Sequence, residues 1–219
     1  GVFRRVAPNL LSPKVFMCGL PMGMGRIGLV SDQPDVLEII RSEVEKLARL
    51  EKAAMIIYKD FTGPYEEAIA PFLKKGYSKI QSIPTTIMDV RFKDFDEYLK
   101  SLGKVSREGL KRNLKKVDNQ AAITLTVKDE LDDCEVEEVY RLYLQTFHKL
   151  DMGLEKLTPD FFRIAPRNMP GEVKFFLWRI EGKMVAFAFC LVKGGYFIDY
   201  YLGFDYELAH SNYLYFVRF

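Results

Sequence analysis

Three closely spaced runs of aromatic and β-branched residues, separated by short breaks that contain glycine, constrain this chain more than any other feature. Val173 to Ile180 reads as a strand, Glu181-Gly182-Lys183 as a tight turn, and Met184 to Val192 as a second strand. Gly194-Gly195 then turns the chain into a third run, Tyr196 to Phe204. Glycine in so short a break supplies the positive backbone dihedrals a hairpin needs, so consecutive runs pair antiparallel with their neighbours. Upstream, Ile123 to Val127 reads as another strand. Val136, Val139, Tyr140, Tyr143, Leu144 and Phe147 recur at helical spacing within Val136 to Leu150. The expected order is strand, helices, three-strand meander and a helix opening after Asp205, an α+β arrangement with a central antiparallel meander flanked by helices.

The first hundred residues have a different rhythm. Val15 to Leu20 and Arg26 to Val30 read as strands, and Asp35 to Leu50 as a helix with Val36, Ile39, Ile40, Val44, Leu47 and Leu50 as its apolar positions. Ala53 to Tyr58 is expected to be a buried strand and Tyr65 to Lys75 a helix. A charged helical stretch follows, Phe95 to Leu102 and then Ser106 to Lys116.

Several classes of chemistry find no support. The two histidines, His148 and His210, have no second ligand at metal spacing, so no metal site is expected. No Gly-x-Ser-x-Gly elbow is present. Gly23-x-Gly25-x-x-Gly28 has the spacing of a dinucleotide fingerprint, yet strand-like Leu29-Val30 follows where a helix is required, so we read it as a hairpin tip. Cys18, Cys134 and Cys190 are too few and too widely spaced for a disulfide framework. A hydrophobic fraction of 48% over 219 residues is enough for the core of one large or two small domains. No apolar run approaches the roughly 20 residues that span a bilayer, and no signal-peptide order opens the sequence; the expected location is cytoplasmic.

A net charge of +2 makes no global case for DNA or a membrane. The local exception is Lys104 to Lys116, where Lys104, Arg107, Lys111, Arg112, Lys115 and Lys116 stand against the single acid Glu108. Helical spacing gathers them into a stripe able to hold tRNA phosphates, a CoA phosphate or an anionic carrier lipid, or simply to face solvent. Gly109 within it suggests a bend or a close contact. No aromatics are interleaved with the run, which counts against an RNA module that stacks bases.

The order of elements, with the final helix opening after Tyr200-Tyr201-Leu202-Gly203-Phe204-Asp205, resembles the front half of the acyl-CoA N-acyltransferase (GNAT) fold, and Glu181-Gly182-Lys183-Met184-Val185-Ala186 carries the resemblance best. Phe72-Leu73-Lys74-Lys75-Gly76-Tyr77 resembles the helix end that closes many such domains. Two partial copies head to tail, with a charged helical segment between or within them, are similar to the tandem architecture of FemAB-like acyl and aminoacyl transferases of peptidoglycan assembly. Phe204 to Asn212 has no glycine, so the usual loop cradling the CoA pyrophosphate is absent, a departure FemAB-like members share.

The resemblance implies transfer of an acyl or aminoacyl group from acyl-CoA or aminoacyl-tRNA to a small-molecule or carrier-linked amine, with no covalently bound cofactor and with tRNA a candidate partner. It places the third meander strand at the substrate. Asp199 and Tyr201 are then the candidate catalytic residues, and Leu202, Gly203, Arg107, Lys111 and Arg112 the candidate donor-binding residues. Strand alternation is expected to put Asp199, Tyr201 and Gly203 on one face, with Tyr200 and Leu202 on the other. Asp199 serves equally well as a structural ion-pair partner, and Trp178 reads as core. The implied domains are residues 1–92, a connector 93–120, and 121–219. The second copy is expected to be truncated, or completed by Ala53 to Tyr58 in a composite sheet. A non-catalytic protein that holds an anionic partner on the basic helix is the alternative.

Overall fold

The computed structural model describes residues 13–19, 35–59, 66–81, 86–118, 123–149 and 156–209. It divides into two compact units, Gly1–Met88 and Asp89–Phe219.

In the first unit, β1 (Val15–Cys18) pairs in parallel with β2 (Met55–Tyr58), in register from Val15–Met55 to Cys18–Tyr58. Parallel neighbours need a crossover, and α1 (Val36–Leu50) lies between them in sequence. Leu37, Arg41, Val44 and Ala48 form its buried face. Burying Arg41 is tolerable because Glu38 and Glu45, one turn to either side, pair with its guanidinium. With Arg41 and Lys75 donating to it, the Glu38 carboxyl is held down at about 2. The hydroxyl of Tyr77 donates to Glu45 at 2.9 Å, and its ring packs edge-on against Tyr58 at 5.6 Å. Burial pushes the Tyr58 phenol up.

Helix α2 (Glu66–Leu73) ends as the sequence phrase predicts. Gly76 has φ +91, and the amide of Tyr77 reaches back to the Phe72 carbonyl at 3.3 Å, a glycine-terminated helix end. One expectation is corrected. Strand β2 is not buried: Met55 is 53% exposed and Ile56, Ile57 and Tyr58 are half-buried, β1 being its one strand neighbour among the described residues. The expected strand Arg26 to Val30 and the glycine motif Gly23 to Gly28 lie outside the described residues.

The second unit opens with α3 (Phe95–Ser101) and α4 (Lys104–Asp118). The Asp94 side chain accepts from the Glu97 amide at 2.8 Å while Glu97 accepts from the Lys93 amide at 2.7 Å, a reciprocal N-terminal cap. Helix α4 runs through Gly109, and among the described residues a Cβ there would meet nothing within 4 Å, so of the bend or close contact expected the structure shows no contact there. Then come β3 (Ile123–Lys128), α5 (Asp133–Lys149), α6 (Pro159–Asn168), β4 (Val173–Ile180), β5 (Lys183–Lys193), β6 (Tyr196–Phe204) and the short α7 (Tyr206–Ala209).

Strands β3 to β6 form one antiparallel sheet in chain order. The turns are the two-residue type in which both central residues are left-handed. Glu181 and Gly182 have φ +49 and +80, Gly194 and Gly195 +57 and +80, and this twist matches the flanking strands. Lys183, expected in the turn, begins β5. Helices α5 and α6 cover one face, where Phe162, Phe175, Phe187, Phe189, Leu142 and Leu177 are all under 2% exposed. The opposite face carries Trp178, Ala186, Ala188, Cys190 and Phe204, with Tyr206 and Leu208 of α7 packed against them. Trp178 is core, as expected.

Candidate functional site

Strand β6 is the element the sequence points to, and its geometry departs from simple alternation. The pairing with β5 runs Lys193–Tyr196, Val192–Phe197, Leu191–Ile198 and Cys190–Asp199, then resumes at Phe189–Tyr201. Tyr200 is therefore an extra residue with no partner on β5, a β-bulge. Directly opposed residues in a sheet share a face. Asp199 thus lies on the face of Cys190, while Tyr201 and Gly203 lie on the face of Phe189 and Phe187, beneath α5 and α6. The expected placement of Asp199 with Tyr201 and Gly203 is corrected: the inserted residue flips everything before it relative to everything after it. Leu202, opposite Ala188, shares the face of Asp199.

Each predicted residue has a distinct setting. Tyr201, 8% exposed, sits among the rings of Tyr143 (6.1 Å), Phe161 (5.5 Å), Phe189 (6.2 Å) and Tyr200 (4.8 Å), so that β5, β6, α5 and α6 meet around it. Gly203 is where α5 comes down onto the sheet. A Cβ there would stand 2.4 Å from the Phe187 ring and 2.7 Å from the backbone carbon of Leu142, so packing alone requires glycine. Asp199 is half-buried, with Oδ1 shielded from solvent. Lys174 occupies the same face two strands away, opposite Cys190 on its other side, and pairs with Asp129 at 2.6 Å.

The backbone of β6 contributes as well. Asp205 donates its amide to the Val185 carbonyl at 2.8 Å, which makes that pair a hydrogen-bonding one. Alternation then makes Phe187–Gly203 and Phe189–Tyr201 hydrogen-bonding pairs, and turns the amide and carbonyl of Leu202 away from β5. Among the described residues β6 has a strand neighbour on one side only, so these groups lie along its free edge.

Beyond the strand, the buried carboxylate of Asp205 is held by Lys183 at 3.0 Å and Arg141 at 3.7 Å. Arg141 also donates to the Met184 carbonyl, and Gln145 accepts from the Tyr206 amide at 3.2 Å. Glu135 and Glu138 take Arg179, and hydrogen bonding to Glu138 together with the charge of both raises the guanidinium above its usual range. Of these, Glu135, Glu138, Arg141 and Gln145 were not predicted from sequence. Their signal is a polar stripe at three- and four-residue spacing on α5, Glu135, Glu138, Arg141 and Gln145.

The basic residues divide. Arg107 Nη1 turns back to the carbonyls of Lys100 and Leu102, at 3.3 and 3.4 Å, closing the end of α3, whereas Lys111 and Arg112 are exposed. Cys18, Cys134 and Cys190 are free thiols. Among the described residues no group of three His, Cys, Asp or Glu side chains is placed to hold a metal ion, and no helix is long and apolar enough to cross a membrane.

A four-stranded antiparallel sheet with helices on its faces and a bulged strand, β6, that carries the candidate residues Asp199 and Tyr201 defines the class of protein: mixed α+β. The chain belongs to the FemAB-like family, described as peptidoglycan biosynthesis/recognition, whose model matches residues 20–216. No curated protein matches the chain.

Proposed function

We propose that the protein transfers an acyl or aminoacyl group from an activated donor, a CoA thioester or an aminoacyl-tRNA, to an amine acceptor of peptidoglycan assembly, on a GNAT-like sheet. One observation carries this reading. At the free edge of β6 an outward-pointing backbone amide, Leu202, follows directly on a bulge that puts a carboxylate, Asp199, on one side of the sheet and a phenol, Tyr201, on the other. A substrate lying along that edge is in reach of both faces.

In the chemistry proposed, the acceptor nitrogen attacks the donor carbonyl carbon and forms the C–N bond. The Leu202 amide donates to the oxygen that gains the charge, a role in which a single backbone donor contributes about 10²-fold or more. Asp199 takes the proton the nitrogen loses. Collapse breaks the bond to sulfur or to the ribose oxygen, and the leaving group is protonated on departure. Gly203 keeps α5 seated on this strand, and Lys111 and Arg112 are its candidate donor-phosphate contacts.

Asp199→Asn tests the assignment. Turnover is expected to fall by roughly 10² or more, with the melting temperature close to that of the parent. An early-melting variant that keeps full turnover per folded molecule removes Asp199 from the chemistry and makes it a structural carboxylate. Titration with a CoA thioester and with charged tRNA then separates the two donors.

A further inference from the structure

We infer that the outer edge of β3 is a docking surface for a second copy of this chain, paired antiparallel about a two-fold axis at Leu125. The inference is independent of the transfer chemistry, because it rests on the sheet edge farthest from the candidate site. Among the described residues β3 has β4 as its one strand neighbour. Thr124, Leu125, Thr126 and Val127 are all exposed, Leu125 at 49% and Val127 at 50%, so both faces of this edge stand open to solvent.

Backbone alternation fixes which groups the edge presents. The Val192 amide donates to the Glu172 carbonyl at 2.7 Å, which makes that pair a hydrogen-bonding one. Counting along β4 by twos, Lys174, Phe176 and Trp178 turn their amides and carbonyls to β5, while Phe175, Leu177 and Arg179 turn theirs to β3. The Thr124 hydroxyl donates to the Arg179 carbonyl at 3.4 Å, in keeping with that direction. The partners of those three on β3 are Lys128, Thr126 and Thr124. The amides and carbonyls of Ile123, Leu125 and Val127 therefore point outward, away from β4. The same three residues carry the apolar side chains of the strand, on the face of Ile180, Trp178 and Phe176 opposite them.

This pattern is its own complement. In a two-fold dimer every contact is made twice, residue i to j and j to i. Antiparallel pairing centred on Leu125 sets Leu125 against its copy and Ile123 against Val127, all through outward groups, and three such pairs supply about six backbone hydrogen bonds. On the other face Thr124 meets Thr126, a cross-strand pair that stabilises sheets. A slip of one residue would set outward groups against inward ones and apolar side chains against threonines. An unrelated extended segment meets the backbone groups equally well; the side chains, mirrored about Leu125, are what a copy of the strand supplies.

Charge does not oppose the pairing. Ile123 to Val127 has no ionisable residue, and the flanking Lys128 and Asp129 are taken inside the unit by Glu135 and Lys174, at 2.6 Å each. The strand also lacks the usual guards of an edge: it has no proline, and its register with β4 runs without the bulge that interrupts β6. Five residues at about 3.4 Å each give a paired length of about 17 Å, too short for the roughly 1,200 Å² of a permanent interface. Association that reverses on dilution is expected. Because β6 lies at the opposite edge, both candidate sites stay at the outer ends of the joined sheet.

Sedimentation velocity on the full chain over a wide range of concentration tests this. The mass is expected to rise from one chain to two and to stop there, because a two-fold pair closes. Only at the axis does a residue face itself. Leu125→Lys and Leu125→Glu therefore each bring like charges together, and each should weaken association by about tenfold or more, whereas mixing the two variants should restore a dimer with one of each. Leu125→Pro removes an outward amide and leaves the bonds to β4 in place, so it should give the same loss without a charge. Melting temperatures close to the parent's are expected, since Leu125 is half exposed. The inference fails if the parent stays a single chain at every concentration or grows beyond two. It fails equally if the folded charged or proline variants associate as the parent does, or if the Lys and Glu variants do not associate when mixed.

Discussion

Helices α4 and α5 are both crowded with charge, and the structure uses them in opposite ways. On α5 Glu135, Glu138 and Arg141 turn toward the sheet and tie it together: Glu135 to Lys128 and Arg179, Glu138 to Arg179, and Arg141 to Asp205. On α4 Arg107 turns inward, and Lys104, Lys111, Arg112 and Lys115 face solvent with no acid paired to them among the described residues. Their glycine contacts differ in the same sense. Gly203 lets the backbone of α5 come into contact with β6, while Gly109 of α4 has open space around it. Charge content therefore says little about what a helix does. The decisive quantity is whether a counter-charge waits at the distance the backbone sets.

The largest effect that would break this comparison is at Gly203. Gly203→Ala forces a methyl carbon into the Phe187 ring and the Leu142 backbone, and the helix can retreat only by unpacking the core. A loss of about 3 kcal/mol or more is expected in urea denaturation; a change under about 1 kcal/mol would mean that α5 is not clamped as described. Next comes Arg179→Ala, which leaves Glu135 and Glu138 as neighbouring carboxylates with one cation fewer. With Arg179 partly exposed, a loss of about 2 kcal/mol is expected, below the range for a fully buried pair, and it should be partly relieved by the second change Glu138→Gln. The smallest effect has the opposite sign. Gly109→Ala should raise stability by up to about 1 kcal/mol, because it adds helix propensity and meets no neighbour. Destabilisation at Gly109 would mean that α4 docks against something along that side.

Much of the sheet was legible because hairpin chemistry is local. The Gly182 and Gly194-Gly195 breaks sit at positive φ, and the first and third strands have the expected ends. The caps Asp94-x-x-Glu97 and Asp132-x-x-Glu135 are equally local signals in the sequence. The bulge at Tyr200 was not legible. It arises from how β6 settles against β5 beneath two helices, and tyrosine carries no mark of it. Its effect on the candidate site was large, because one extra residue reversed the face assigned to Asp199. Arg107 and Lys111 illustrate the same limit, since the sequence shows two cations one turn apart and only the fold shows that one caps α3. The exposure of β2 was misjudged because an apolar tetrapeptide does not reveal how many neighbours its strand has.

The order of strands in the sheet has a consequence for assembly in time. The two hairpins of β4, β5 and β6 close loops of two residues, whereas β3 joins residues such as Thr124 and Arg179 that are 55 apart in the chain. Closing the longer loop sacrifices more chain entropy before any contact rewards it. The hairpins can therefore form on their own turns while β3 waits for α5 and α6 to fold the intervening chain into place. A polypeptide emerging from its N-terminus synthesises β3 well before its partner exists, and carries an unpaired Ile-Thr-Leu-Thr-Val segment until β4 arrives. During that interval the segment is the stretch of this unit most open to pairing with the wrong chain.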